Sequence, residues 1–292
     1  MHPTLVTFSI GGHQVVLRSY TTFYELAFVA AVVLATVIAW RRGLSWWRAL
    51  LTFAVALAIG IGGARLFDLA VSWGPYAKKP GSIYAFNLTG FALDGGLILA
   101  VIAAALLARL FHLPLWRLAD SSVPGIAAGL VLMRVGCLLN GCCFGTVTSL
   151  PWGVQYPPGS KAWEWEVATG RSGLLGFLGG MKPVHPTQVY EMMAAVVLCG
   201  VAVWLLRRGR HSGRGVVMQG VPFLVFALGF TVFRLGNYFM RAHLPGSTVP
   251  FWFYPALYAV TTVVIGCVLA WRMSLLPLPG LAGGDRSATD AG

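Results

Sequence analysis

The stretch LMRVGCLLNGCCFG, residues Leu132 to Gly145, follows an apolar run long enough to form part of a membrane helix. Arg134 is a permanent charge at the deep end of that run. An arginine inside a membrane helix costs about 2.5–3.5 kcal/mol on insertion scales, so it needs an anionic partner. The glycines and cysteines after Arg134 predict that the helix ends in a close-packed turn. One interpretation is a polar helix end with small packing residues, and the other is a lipid-phosphate site at membrane depth.

The composition of the whole chain is that of a membrane protein. Of its 292 residues, 57% are hydrophobic and 10% are charged, and the mean hydropathy is +0.75. A soluble domain has about 25% charged residues, so we predict an all-α integral membrane protein without a separate soluble domain. The net charge of +12 does not indicate a nucleic-acid partner, because the basic residues lie in short loops between apolar segments.

Seven apolar segments are long enough to span a bilayer as helices. They cover roughly 20–40, 49–72, 91–111, 121–140, 186–206, 217–240 and 251–271. The loops after the first, third and fifth segments and the tail are rich in arginine, as cytoplasmic loops are. This pattern predicts an N-terminus outside and a C-terminus in the cytoplasm.

The same pass along the chain divides it into regions. Residues 1–276 are expected to form a single seven-helix membrane domain. The segment 145–184, with three tryptophans, is expected to form a small extracytoplasmic cap with interfacial aromatics. The tail 277–292, rich in Gly and Ala, is expected to be a disordered cytoplasmic segment.

Polar residues within the predicted spans are few, and most lie in the outward half. They are Tyr20, Arg65, Asp94, Arg134, Asn140, His185, Glu191, Arg234, Asn237 and Arg241. Four arginines exceed the two carboxylates of this layer, and a lipid phosphate would satisfy them, since guanidinium groups bind phosphate in a bidentate way. The alternative is a structural network in which Arg65 pairs with Asp68, and Arg134 or Arg234 with Asp94 or Glu191.

Two further motifs leave alternatives open. His185-Pro186 is typical of a helix start, with Gln188 reaching back as in a capping box, so a structural role is as good an interpretation as a catalytic one. Cys137, Cys142 and Cys143 are packing residues at a tight turn, a redox pair or metal-ligand set, or a thiol that handles the lipid or marks another acceptor. No metal and no cofactor are assigned from the sequence.

In this order, the motifs resemble the bacterial prolipoprotein diacylglyceryl transferase family over nearly the whole chain. They are Phe8-Ser9-Ile10-Gly11, Gly62-Gly63-Ala64-Arg65, Asp94-Gly95-Gly96-Leu97-Ile98, Arg134-x-Gly136-x-x-x-Asn140-Gly141-x-x-x-Gly145, His185-Pro186-Thr187-Gln188-Val189-Tyr190-Glu191, and Arg234 to Arg241. The resemblance implies a seven-helix inner-membrane enzyme that moves a diacylglyceryl group from phosphatidylglycerol to the lipobox cysteine of a preprolipoprotein. Glycerol phosphate is the leaving product.

The resemblance also implies roles for individual residues. Arg134 and Arg234 are similar to the family's two important arginines, and we expect them to be catalytic together with Asp94. Asp94 stands where the family usually has a histidine considered to be the base. We expect a further set to bind substrate: Tyr20, Arg65, Gly95, Gly96, Asn140, Gly141, Gly145, His185, Glu191 and Arg241.

Several positions depart from the family pattern. Besides Asp94, the signature's first asparagine is Cys137, its glutamate is Cys142, and the acidic position between the last two arginines is Tyr238. The phosphate-holding part is retained and the acceptor-activating part is altered. Two alternatives therefore stand beside the transferase: a paralogue with another acceptor, and a non-catalytic phospholipid-binding membrane protein.

Overall fold

The computed structural model describes residues 4–10, 13–71, 73, 77, 81, 93–171, 173, 180–211, 218–243 and 249–274. The predicted tail 277–292 and most of the loop between the second and third apolar segments lie outside these residues. Within them, two strands are followed by helices. The elements are β1 (Thr4–Ile10), β2 (His13–Arg18), α1 (Ser19–Arg41), α2 (Trp46–Val71), α3 (Leu93–Leu110), α4 (Leu115–Leu139), α5 (Lys161–Ala168), α6 (Thr187–His211), α7 (Val221–Met240) and α8 (Phe253–Ser274).

Among the described residues, six helices have the length and apolar composition needed to cross a membrane: α1, α2, α4, α6, α7 and α8. The remaining predicted segment, 91–111, corresponds to α3, whose apolar part, Gly95–Leu110, is shorter. The predicted multi-pass helical membrane protein is confirmed at this level.

A β-hairpin precedes α1, which the all-α prediction did not include. β1 and β2 pair antiparallel, with Ile10 opposite His13 and Thr4 opposite Arg18. The sequence of both strands is rich in Val, Leu and Thr and suits a pleated ribbon. β2 leads directly into α1 at Ser19, so the hairpin adjoins the end of α1 that carries Tyr20.

Helix α4 begins at Leu115, six residues before the predicted start at 121. The predicted segment left out Asp120, which directly precedes Ser121 and Ser122 in the helix. All three are buried, and Asp120 is fully enclosed. Its carboxylate accepts hydrogen bonds from the backbone N–H groups of Gly220 and Phe223, which makes the burial tolerable.

Glycines bring pairs of helices into close contact. A Cβ on Gly136 of α4 would lie 2.8 Å from Cβ of Phe23 on α1, and one on Gly96 of α3 would lie 2.6 Å from the carbonyl oxygen of Gly60 on α2. Gly95 likewise lies against Phe67 of α2. Small residues serve here for helix approach, as is common in membranes.

The segment between α4 and α6 forms a packed unit at one end of the bundle. Its core is built from Phe144, Tyr156, Ala162, Trp165, Met181 and Val184. Trp165 is 2% exposed, so it is a core residue and not an interfacial aromatic as predicted. Isolated β-bridges join Val147 and Val154 to Val184, and Gly145 to Arg241 at the end of α7. This unit therefore ties together the ends of α4, α6 and α7.

Candidate active site

The chain reverses after α4 through a left-handed glycine turn. Asn140 ends the helix and Gly141 has φ +66°. The N–H of Cys142 donates to the carbonyl of Cys137 at 3.1 Å, and the N–H of Gly141 donates to that of Leu138 at 3.2 Å. These are the two bonds of a Schellman motif, which glycine accommodates without steric cost. The turn folds Cys142 and Cys143 back over the last turn of α4.

Arg134 lies on α4 one turn before this reversal and is only 4% exposed. Its Nη2 is 2.6 Å from Oε2 of Glu191, and its Nη1 is 3.7 Å from Sγ of Cys137. Its Nε is buried and has no hydrogen-bond partner within the described residues. Part of the guanidinium group is thus satisfied and part can still donate.

Glu191 on α6 is the carboxylate that draws three guanidinium groups together. It is 2% exposed and pairs with Arg134, with Nη1 of Arg234 at 3.4 Å and with Nη1 of Arg241 at 3.7 Å. Asn237 also donates to Oε1 of Glu191 at 3.1 Å. We call Arg134, Arg234 and Arg241 the arginine cluster. The predicted pairing of Arg134 or Arg234 with Glu191 is confirmed, as is the convergence of the α7 residues on one face.

Tyr258 of α8 completes the surroundings of Arg234, and the sequence interpretation missed it. Nη2 of Arg234 donates to the Tyr258 hydroxyl at 2.7 Å, and the guanidinium carbon lies 5.3 Å from the centre of the ring. A tyrosine hydroxyl in the middle of an apolar span was the available signal. Tyr238 packs against Tyr258 and donates to the carbonyl of Phe251 at 2.9 Å.

Three thiols meet beside Arg134. The Sγ atoms of Cys137, Cys142 and Cys143 all lie within 4.8 Å of one another, and each cysteine is free. We call this group the three-cysteine cluster. The Tyr24 hydroxyl is 3.8 Å from Sγ of Cys137, and the ring of Tyr20 packs against that of Tyr24 with 4.3 Å between ring centres. Tyr24 was missed, although its position one turn after Tyr20 places both on the same face of α1.

Helix α6 holds the cysteine turn in place. The Thr187 hydroxyl donates to the carbonyl of Cys143 at 2.6 Å, and the Gln188 amide donates to the carbonyl of Cys142 at 2.6 Å and to the Tyr156 hydroxyl at 3.0 Å. The prediction that Gln188 reaches back as a helix cap is wrong. Its side chain instead donates to the carbonyl of Cys142, in the turn after α4, and to the Tyr156 hydroxyl.

Hydrogen bonds among the thiols, burial and nearby arginines shift the pKa values of groups just beyond the spans. Burial raises the pKa of Tyr156 to about 12. Hydrogen bonds to the other two thiols, together with burial, raise the pKa of Cys142. The thiols of Cys137 and Cys142 donate to Cys143 and hold its pKa well below the ordinary value, and Arg241 and Arg134 lower it further.

The remaining predicted site residues take different places. Gly145 lies where α4, α6 and α7 meet: a Cβ there would be 2.5 Å from Cβ of His185 and 2.7 Å from the carbonyl oxygen of Met240. Nδ1 of His185 is 3.3 Å from the Tyr190 hydroxyl. Asn140 is half-buried at the turn, and Arg65 is half-buried on α2. The side chain of Asp94 lies outside the described residues, so its predicted role as base stays a prediction.

The fold and these contacts define a multi-pass helical membrane protein with a buried arginine cluster at one end of the bundle. The family model for prolipoprotein diacylglyceryl transferase matches residues 5–273 of the chain. The chain therefore belongs to the prolipoprotein diacylglyceryl transferase family.

Individual relatives agree with this. The chain is 31% identical to a phosphatidylglycerol–prolipoprotein diacylglyceryl transferase from Synechococcus elongatus, over 80% of this chain and 74% of the relative. It is 30% identical to the enzyme of that name from Dehalococcoides mccartyi strain CBDB1, over 82% of each chain. It is also 30% identical to the one from Geobacter sulfurreducens, over 77% of each chain.

Proposed function

We propose that the protein transfers the diacylglyceryl group of phosphatidylglycerol to the cysteine thiol of a prolipoprotein and releases glycerol phosphate. The observation that carries this proposal is Arg134. In a member of this family, this arginine is buried on a helix that has the length and composition of a membrane span, and its Nε lacks a hydrogen-bond acceptor among the described residues. A buried guanidinium donor without an acceptor is unfavourable, and the phosphate of a phospholipid headgroup supplies the missing acceptor.

The arginine cluster suits a phosphodiester better than a carboxylate or a neutral headgroup. Glu191 already holds one edge of Arg134 and orients it. The planar guanidinium group can then donate from its remaining edge to phosphate oxygens, for which its geometry is matched. Arg241 is the most exposed member, at 25% of its side chain, and lies at the open side of the cluster.

The reaction is a displacement at a CH₂ carbon with a phosphate monoester as leaving group. Negative charge grows on the leaving oxygen as the carbon–oxygen bond breaks. In many enzymes, fixed cations directed at such a charge contribute more to the rate enhancement than any other single effect. Arg134 and Arg234 fill this role in our proposal, and Glu191, Asn237 and Tyr258 hold their side chains in place.

The acceptor thiol must lose its proton before it attacks. A free cysteine has a pKa of about 8.5, and the thiolate is the nucleophile. We propose that Asp94 accepts this proton, as the position that replaces the family's histidine. Tyr20, Asn140 and His185 are proposed to line the substrate site, since they lie on the three segments that converge there.

The proposal is tested by transfer with purified protein. The protein is reconstituted in vesicles that contain phosphatidylglycerol and mixed with a peptide that carries a lipobox cysteine. Mass spectrometry should show the peptide with an added diacylglyceryl group, and glycerol phosphate should appear in equal amount. A peptide with serine in place of the cysteine, and vesicles of phosphatidylethanolamine, should both give no product.

Two results would redirect the assignment. Turnover of phosphatidylglycerol without modification of the lipobox peptide would point to a paralogue with another acceptor. Retention of phosphatidylglycerol without any turnover would point to a lipid-binding protein. Either outcome leaves the arginine cluster as a phosphate site and removes the lipoprotein acceptor.

We also propose that the protein resides in the bacterial inner membrane and spans it seven times, with α3 added to the six long apolar helices. The N-terminus is outside and the C-terminus is in the cytoplasm. The arginine-rich alternate loops support this orientation. Cysteines introduced at Ser160 and Ser212 should react with an impermeant reagent from opposite faces, Ser160 from outside. Labelling of both from one face would contradict the orientation.

A further inference from the structure

The three-cysteine cluster has a geometry that the phosphate chemistry does not explain. Its Sγ atoms lie within 4.8 Å of one another. Zinc bound by cysteine has a zinc–sulfur distance of about 2.3 Å, which places sulfurs of a tetrahedral site about 3.8 Å apart. The Sγ–Sγ distances of the cluster therefore exceed the zinc-site spacing by at most about 1 Å. Rotation of the cysteine side chains can close a gap of this size.

The backbone holds these thiols in place from both sides. Cys137 belongs to the last turn of α4, and the Schellman turn brings Cys142 back over it. Thr187 and Gln188 fix the carbonyls of Cys143 and Cys142. Cys143 has φ +60°, a conformation that residues with a side chain rarely adopt outside special sites. In this conformation its sulfur lies beside those of Cys137 and Cys142.

The surrounding charge fits a cation bound by three thiolates. Such a zinc site carries one net negative charge, since three thiolates bind one divalent cation. Nη1 of Arg134 lies 3.7 Å from Sγ of Cys137 and can offset that charge. The same guanidinium group reaches Glu191 on its other side. The cluster and the phosphate site therefore share one arginine.

We propose that the three-cysteine cluster binds zinc and that the open fourth position takes the thiol of the acceptor cysteine. Catalytic zinc sites use three protein ligands and leave the fourth position to water or substrate. A thiol that coordinates zinc is deprotonated. This inference rests on the proposed function, because the reaction there requires a thiolate from the acceptor. It gives the cluster a role on the acceptor side, where Cys137 and Cys142 replace the signature's first asparagine and its glutamate.

The step balances without an oxidant or reductant. The S–H bond of the acceptor cysteine is replaced by an S–Zn bond, and the proton goes to the base proposed above and then to water. The bound sulfur forms a bond to the CH₂ carbon with its electron pair. The carbon–oxygen bond to phosphate breaks, and its pair leaves on glycerol phosphate. The thioether product is a weaker zinc ligand than the thiolate and is released.

The first test measures metal directly. Protein purified in detergent with a reductant, from zinc-containing medium, should hold about one zinc per chain, as a three-cysteine site predicts. The Cys143→Gly variant should lose that zinc. Glycine adopts a positive φ readily, so the variant keeps the turn and lacks only the ligand. Cys199→Ser, on α6 and away from the cluster, is the matched control and should keep the zinc.

The second test asks whether the acceptor binds the metal. Cobalt(II) in place of zinc should give thiolate-to-cobalt absorption in wild type and not in Cys143→Gly. Addition of a lipobox cysteine peptide should strengthen that absorption, and the serine peptide should not change it. Chelation of the metal should cause a loss of transfer, and zinc should restore it.

Several results would overturn the inference. They are full transfer by metal-free wild type, zinc retained by Cys143→Gly, a disulfide between two of the three cysteines in the active protein, and a cluster that takes copper(I) but neither zinc nor cobalt. Failure of transfer with zinc and cobalt binding intact would instead count against the proposed function. A cobalt spectrum that ignores the cysteine peptide would contradict the assignment of the fourth position.

Discussion

Two buried carboxylates, Asp120 and Glu191, lie at opposite ends of the helical bundle. They pair with arginine in different ways. Asp120, near the start of α4, is fully enclosed and lies 3.7 Å from Nη2 of Arg42. Both its oxygens also accept backbone N–H groups, from Gly220 at 2.9 Å and Phe223 at 3.1 Å. These N–H groups begin α7, so the carboxylate also interacts favourably with the helix dipole. The Asp120 carboxylate is thus fully satisfied by protein groups.

At the Glu191 end, the arginine donors outnumber the protein groups that can accept from them. Arg134 lies 14 positions after Asp120, about 21 Å further along the helix. There one carboxylate pairs with three arginines, and Nε of Arg134 has no acceptor among the described residues. A structural salt bridge satisfies its members with protein groups, whereas a binding site leaves donors for its ligand. Arg42 therefore supports the fold, whereas Arg134 keeps a donor that can bind an anion.

Removal of the Asp120 carboxylate should have the largest effect, on folding alone. Asp120→Ala leaves the N–H groups of Gly220 and Phe223 without their acceptors and takes the carboxylate from Arg42. Breaking a buried pair in this way costs about 3–5 kcal/mol in the free energy of unfolding. Chemical unfolding in detergent measures this loss, and Asp120→Asn, which keeps one acceptor, should lose less. Transfer per folded molecule should be unchanged; a specific loss of activity would erase the distinction between the two ends.

Removal of Arg134 should show the reverse pattern. Arg134→Ala should lower transfer by about 10²–10³-fold, the usual loss for one donor that stabilises transition-state charge. Glu191 keeps Arg234 and Arg241, so the protein should still insert and purify. Lysine should recover little, since a point charge lacks the fork geometry. Arg234→Ala should behave likewise, and Arg48→Ala at the other end should be neutral. Full activity in either cluster variant would contradict the phosphate site.

Variants of Asp94 test its proposed role as the base on the acceptor side. If it is the base, Asp94→Asn should lower transfer by about 10²-fold with lipid binding intact, the lower part of the range for general-base catalysis. If Asp94 only pairs with an arginine, the same change should lower the free energy of unfolding and leave residual transfer activity. Asp94→His restores the family pattern, so transfer to a lipobox peptide should persist or rise. Absence of lipobox activity in both wild type and Asp94→His would support another acceptor.

The smallest expected effect concerns Tyr258. Tyr258→Phe removes the hydroxyl that accepts from Arg234 and keeps the ring beneath the guanidinium group. One hydrogen bond is worth about 1 kcal/mol, so kcat/KM should fall about fivefold. Tyr254→Phe, on the same helix, is a comparison variant that leaves the Arg234 contact in place. A loss as large as that of Arg234→Ala would mean that Tyr258 has a role of its own.

Some of the site was predictable because polar residues within apolar segments are costly. Arg134, Glu191, Arg234 and Arg241 each stood out on that ground, and their meeting followed from the helix spacing on α7 and from the shared layer. The same reasoning failed at Asp120. Asp120 was left outside the predicted fourth span, and the donors that satisfy its carboxylate lie far along the chain, at the start of α7.

The sequence by itself determined that this is a multi-pass helical membrane protein and which arginines lie at one depth. Length, hydropathy and the cost of buried charge are local properties, and each can be evaluated along the chain. Only the tertiary structure decided which groups share a partner. Glu191 as the common carboxylate, Gln188 as the partner of Cys142 and three thiols within one cluster all depend on contacts between α4, α6 and α7. Such contacts join residues far apart in the chain, and no local pattern specifies their distances.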